Sequence, residues 1–381
     1  MGITEIVKRT SLMVFSTLAS LEAASCAALR LQIVPGHVPT YHGAANPAFE
    51  FWSDINPQFG VWHFPHAEYR HKKACFDVTY RTNSVGARDR ERTIESARPR
   101  VIVLGDSFVE GYGVKDGARL TDRLEASTGI EHLNFGTSGD FGPTQYLLLY
   151  QSLAKHYRHD AVLVEFLPAN DFDDDDPGFG KKAFKDRYRP YFVGQDPNYR
   201  LEYFLDDITK SSYRTPPDTF RSRLVNFLRE TSHAYNLYAY FRAIRDRESA
   251  ASGKHGPESR YYHFTEAELL RLRFVLQRLT AEGGGRPVTV FTIPTARDLK
   301  AYEMSGDAPL SRRLAAMSQE VGFELVDLLP AFARQRPAWR SLFLQCDAHW
   351  SEAGNATATN ILLSHTRKVA GQPATHTGAA H

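Results

Sequence analysis

Val101-Ile-Val-Leu-Gly-Asp-Ser107-Phe108 is four apolar residues followed by a glycine, an acid and a serine. A strand apolar at every position is buried on both faces, the condition of a parallel sheet covered by helices, so the run predicts a central strand from Arg100 to Leu104. Gly105 lets the chain turn sharply, and Ser107 falls just past the strand's carboxyl end, where open α/β sheets bind ligands. Working outward, further strands are expected at His132 to Phe135, Ala161 to Leu167, Pro287 to Ile293 and Phe323 to Leu328. Helical patterns separate them, as in Leu120 with Leu124 and Leu269, Leu270, Phe274, Leu276 and Leu279. The expected fold class is α/β, a three-layer α/β/α sandwich around a parallel five-stranded sheet.

The composition suits such a domain. The chain has 381 residues, 42% apolar and 24% charged, which is enough for a sizeable core. Lys+Arg at 46 against Asp+Glu at 44 leaves a formal charge of +2, too balanced for a protein that neutralises phosphates, so nucleic acid is not an expected partner. Cys26, Cys75 and Cys346 match neither a zinc-ligand spacing nor a CxxC pair, and no metal or cofactor is expected. In an oxidising compartment Cys75 and Cys346 are a candidate disulfide.

Residues 1–31 read as a signal-anchor or a signal peptide. Lys8 and Arg9 precede Thr10 to Leu29, whose single charge is Glu22 and whose length as a helix, about 30 Å, matches a bilayer core. Small residues around Ala23 and Ala24 also fit a cleavage site, Cys26 after them faintly resembles a lipidation site, and a buried amphipathic helix is the third reading. Either export reading places the rest of the chain in the cell envelope, membrane-anchored with the domain in the periplasm, or secreted if the signal is cleaved. Residues 32–75, rich in Pro, His and aromatics, read as a connector, 76–368 as the main domain, and the small, polar 369–381 as a disordered tail. Roughly 115 residues separate Asn170 from the fourth strand, more than a crossover needs, so 171–285 is expected to hold an inserted cap. The insert opens with the acidic run Asp173 to Asp176, read as a solvated loop. It continues through Tyr188, Tyr191, Tyr199, Tyr203 and Phe204, which suit either packing or stacking on sugar rings, to a helical stretch from Phe220 to Arg247.

A serine nucleophile needs a base. His349 lies in Cys346-Asp-Ala-His-Trp-Ser351, two residues after Asp347. In extended backbone the side chains at i and i+2 point to one side, so Asp347 can hold the Nδ1 proton and leave Nε2 to face Ser107. Ser351 reads as the cap of a final helix, Asn355 to Leu363. Two other strand ends carry candidate oxyanion donors: Gly139 in Asn134-Phe-Gly-Thr-Ser-Gly139, and Asn170 in Leu167-Pro-Ala-Asn170-Asp171. With the Ser107 amide they make three donors for the charge of a tetrahedral intermediate.

Taken together, Gly105-Asp106-Ser107-Phe108, Gly139, Asn170-Asp171 and Asp347-Ala-His349 resemble the four blocks of the SGNH (GDSL-type) serine hydrolase superfamily, in order across about 270 residues. Val78-Thr-Tyr-Arg-Thr-Asn-Ser-Val-Gly-Ala-Arg-Asp89 is similar to the lead-in of its membrane-anchored bacterial members. The resemblance implies a flavodoxin-like sheet of order 2-1-3-4-5. It also implies Ser107 as nucleophile, His349 as general base, Asp347 as its orienter, and Ser107, Gly139 and Asn170 as the oxyanion hole. The implied activity is removal of a small acyl group, acetyl foremost, from an acylated small molecule or an envelope or extracellular glycan. An O-acetyltransferase of the same fold and a non-catalytic glycan-binding protein are the alternatives. Pro168 departs from the third block, which commonly has glycine there, and puts the shape of the Asn170 loop in question.

Overall fold

The computed structural model describes residues 3–31, 33–34, 36–39, 41, 51–73, 75–211, 219–250, 259–335, 338–344 and 347–369. Five parallel strands form the central sheet: β1 (Arg100–Gly105), β2 (Glu131–Gly136), β3 (Ala161–Phe166), β4 (Val288–Thr292) and β5 (Glu324–Val326). Their spatial order is 2-1-3-4-5, with Ile102 paired to Leu133 on one side and Val162 on the other. Every residue of β1 to β4 is buried, as the nearly continuous apolar runs of β1, β3 and β4 predict, and in β2 this includes Glu131, His132 and Asn134. Helix Leu120–Thr128 packs with the last helix, Glu352–Val369, while Pro143–Ser152 packs with Glu266–Glu282, and these pairs belong to the outer layers of a three-layer α/β/α sandwich. Glu266–Glu282 starts at a reciprocal cap in which Thr265 and Glu268 satisfy each other's backbone amides.

The stretch before the sheet is more than a tether. Strands Asp54–Asn56 and Gly60–Trp62 form one hairpin, Glu68–Lys73 and Phe76–Arg81 another, and Phe59, Val61 and Trp62 are buried in the domain core. The interval between β3 and β4 adds helices Pro168–Asp174 and Pro177–Ala183, a hairpin of Arg189–Gln195 with Asn198–Phe204, and helices Phe220–Thr231 and His233–Ala250. Tyr188 and Tyr191 pack inward. Tyr188 stacks on Tyr203 at 5.3 Å, and their hydroxyls donate to the carbonyls of Pro57 and Gln58 at 2.9 and 2.7 Å, which fastens the insert to the first hairpin.

The N-terminal helix spans Ile3–Arg30 and is long and apolar enough to cross a membrane. Its last turns rest on His233–Ala250. Cys26 is free and Cys75 is half of a disulfide; Cys346 and the tail beyond 369 lie outside the described residues.

Candidate active site

Ser107 opens a one-turn helix, Ser107–Glu110, at the carboxyl end of β1. The turn that presents it is braced from below. Glu165, the one charge in the apolar strand β3, accepts from the Asp106 and Val109 amides at 3.1 and 3.2 Å with a single carboxylate oxygen. That oxygen occupies the space a Cβ on Gly105 would fill, which is why the position needs glycine. Burial, and then the nearby Asp106, pushes the Glu165 carboxyl well above the usual range. Asp106 caps the short helix by accepting from the Phe108 amide at 2.8 Å.

His349 approaches from the loop before the last helix. Its Nε2 lies 2.7 Å from Ser107 Oγ, and Nδ1 is hydrogen-bonded to Asp347, whose carboxylate also accepts the His349 amide at 3.2 Å. The loop is tied down by Leu344 N to His349 O at 2.8 Å, by Ser351 N to Leu342 O at 2.9 Å, and by Ser351, which accepts from the Gly354 amide and caps helix Glu352–Val369. Aromatic rings set the imidazole plane: Tyr112 stacks on it at 4.0 Å and Phe108 lies at 4.8 Å. Such a hydroxyl can pass its proton to Nε2 while the carboxylate fixes the tautomer.

Asn170 sits in helix Pro168–Asp174, where Pro168 takes the first helical position, one that suits its fixed φ and missing N–H. The departure from glycine therefore starts a helix. The two hydrogens of Asn170 Nδ2 go to Asp106 Oδ2 at 3.2 Å and Asp174 Oδ2 at 3.1 Å, so the carboxamide is held beside Ser107 by two carboxylates.

Gly139 follows β2 with φ +121°, a conformation that favours glycine. Two buried side chains position its loop. Glu110, three residues after Ser107, accepts from the Ser138 amide at 2.6 Å and from the Ser138 hydroxyl, while its other oxygen meets Trp52 Nε1 at 3.1 Å and His63 Nε2 at 3.2 Å. Burial pushes the Glu110 carboxyl up, yet the interactions with His63, Arg88 and Ser138 together outweigh it and hold the carboxyl below the usual range. Arg189, from the first insert strand, donates to the carbonyls of Gly139 and Asp140 and, at 3.0 Å, to that of Asp174. One guanidinium thus joins the Gly139 loop to the helix of Asn170.

The acidic run departs from the solvated loop expected of it. Asp174 and Asp175 are buried, Asp175 accepts from the Thr144 amide at 3.0 Å, Asp176 caps helix Pro177–Ala183, and Asp173 pairs with Arg260 at 3.3 Å. Burial raises the carboxyls of Asp171 and Asp174 well above the usual range, and that of Asp175 to about 6. Sequence reading also passed over Tyr112, Glu110, Glu165, His63 and Arg189. Only Glu165 carried a local signal, as a charge inside an apolar strand.

A parallel α/β sheet that presents a serine hydroxyl to an imidazole at its carboxyl rim defines a serine-hydrolase type of protein. A profile of the GDSL-like lipase/acylhydrolase family matches residues 103–357, and the chain belongs to that family. Among solved structures it is similar to a lipase/acylhydrolase from Enterococcus faecalis, at 12% identity over 71% of this chain and 96% of that one, with a TM-score of 0.37. It is also similar to a variant of an acetyl xylan esterase from Geobacillus stearothermophilus, at 11% identity over 75% and 100% of the two chains and a TM-score of 0.37. A carbohydrate esterase family 2 enzyme from Corynascus thermopiles aligns at 13% identity over 74% and 69%, again with a TM-score of 0.37. No curated protein matches the chain.

Proposed function

We propose that the protein is an envelope serine esterase that removes a small acyl group, acetyl as the leading case, from a glycan or small acylated alcohol. The observation that carries this reading is the hydrogen-bonded series Asp347, His349, Ser107 at the end of β1, with 2.7 Å between the imidazole and the hydroxyl. His349 takes the Ser107 proton as Oγ bonds to the ester carbonyl carbon, and the carbonyl electron pair moves onto oxygen. The Ser107 and Gly139 amides and Asn170 Nδ2 receive that oxyanion, which takes over one of the two carboxylate-bound hydrogens of Asn170. Collapse expels the alcohol with the proton from His349, and water repeats the sequence to free the acid. An acceptor alcohol in place of water makes the same site an acyltransferase.

Export is supported by Lys8 and Arg9 ahead of the apolar helix and by the disulfide at Cys75, since such bonds persist in oxidising compartments. In this reading the helix anchors the domain on the periplasmic side. A fluorophosphonate probe tests the chemistry: it is expected to label Ser107, with labelling lost in Ser107→Ala and His349→Ala. Folded protein that takes up no label would overturn the reading.

A further inference from the structure

Glu22, the one charge in Thr10–Leu29, does not face outward as an isolated carboxylate. It accepts from the amides of His233 and Ala234 at 2.6 and 3.0 Å and from Ser232 Oγ at 2.9 Å, and so caps helix His233–Ala250 from a different segment of the chain. Ser25 and Leu29, further along the N-terminal helix, are buried. Before Glu22 the picture reverses, and Leu12, Phe15, Leu18 and Leu21 are all exposed. The helix therefore has two parts, a last section that packs on the protein and an earlier one whose apolar side chains are exposed among the described residues.

The insert helices, the second of which packs on the N-terminal helix, carry exposed apolar groups too. On Phe220–Thr231, Phe220 is 82% exposed and Phe227 55%, with Leu224 open on the same helical face, and beyond the Ser232 break Tyr238 and Phe241 are open as well. Residues 220–242 carry four arginines and a single acid, Glu230, and Arg221 and Arg229 are exposed among the apolar groups. Large apolar side chains left in water cost roughly 25 cal/mol per Å² of surface, and a cluster of them interleaved with guanidinium groups suits an interface that is apolar within and anionic at its edge. A second copy of this face would set arginines against arginines, whereas a bilayer with anionic headgroups answers both features.

We propose that helices Phe220–Thr231 and His233–Ala250 form a lipid-docking surface that lies on an anionic bilayer where the N-terminal helix leaves it, with Phe220, Leu224 and Phe227 at the acyl–headgroup boundary. The proposal rests on the anchored reading above and extends it, because it assigns the insert to the membrane.

The test uses the full chain with Cys26→Ala, reconstituted in vesicles of phosphatidylcholine and phosphatidylglycerol. Single environment-sensitive fluorophores are attached at Phe220→Cys, Phe227→Cys, Leu18→Cys or Met304→Cys, and fluorophosphonate labelling checks that each variant is folded. With nitroxide lipids, the labels at 220 and 227 are expected to lose most of their emission to a headgroup-level quencher and little to a mid-chain one. Met304, 83% exposed on helix Ala296–Ser305, is expected to respond to neither. Unquenched labels at 220 and 227 overturn the proposal, and self-quenching there without lipid quenching overturns it in favour of a second copy. The label at Leu18 reports the anchor separately. Quenching at 220 and 227 with none at Leu18 upholds the docking surface while rejecting the anchor, and quenching at Leu18 alone does the opposite.

Discussion

The carboxyl rim of the sheet and the surface made by the N-terminal and insert helices use the same kinds of residue to opposite ends. At the rim, Phe108, Phe141, Phe166 and Phe172 are buried, and the charges among them are satisfied by named partners: Glu110 by Ser138, His63 and Trp52, and Arg189 by three backbone carbonyls. On the helices, Phe15, Phe220, Phe227 and Phe241 face outward. The contrast shows that apolar content alone does not locate a core. What marks the rim is that charged side chains such as Glu110 and Arg189 are buried with several partners each, and that pairing positions the loops around one hydroxyl.

The comparison breaks first at the imidazole. His349→Ala is expected to lower ester turnover by about 10⁴-fold or more while leaving the thermal midpoint near that of the wild type, because the ring sits in a rim loop and not under the sheet. Steady-state rates with thermal melts decide it, and a loss below about tenfold would remove His349 from the chemistry. Next comes a matched pair of phenylalanines. Phe166→Ala, in the packed end of β3, is expected to cost about 3–5 kcal/mol in urea unfolding, while Phe227→Ala stays within about 0.5 kcal/mol, and equal costs would erase the distinction between the two regions.

Arg189→Met sharpens the account of the rim. If Gly139 and Asn170 are the oxyanion donors proposed above, loss of the link between the Gly139 loop and the Asn170 helix is expected to reduce kcat about 10²-fold with KM nearly unchanged, and to add little in an Asn170→Ala background. Effects that multiply in the double variant would make Arg189 a packing residue only. The smallest effect belongs to Asp175. Its carboxyl is held up at about 6 by burial against an ordinary value of 3.8, so its contribution to stability is full below about pH 4 and fades as pH rises through 6. Asp175→Asn, which keeps an acceptor for the Thr144 amide, should flatten the fall in unfolding free energy between pH 4 and 8; an unchanged slope would contradict this.

Legibility in the sequence follows the range of the interactions. β1, β3 and β4 could be read because burial on both faces leaves a nearly continuous apolar run, and Asp347 with His349 because two positions of extended chain bring their side chains to one side. His63 and Trp52 could not, since they reach Glu110 from 47 and 58 residues away in a stretch with no periodic pattern. Arg189, Asp173 and Asp175 were hidden for a related reason. A charge looks solvated until its partner is known, and their partners lie on other elements. Glu22 misled in the same way, an awkward charge in an apolar helix that becomes a cap once His233–Ala250 is in place.

The most direct measurement is the mass of an intermediate. Protein mixed with p-nitrophenyl acetate, quenched in acid during turnover and digested, should yield the Ser107 peptide carrying one acetyl group, and His349→Ala should not. Turnover with that peptide unmodified, or acetyl on any other residue, would contradict the account.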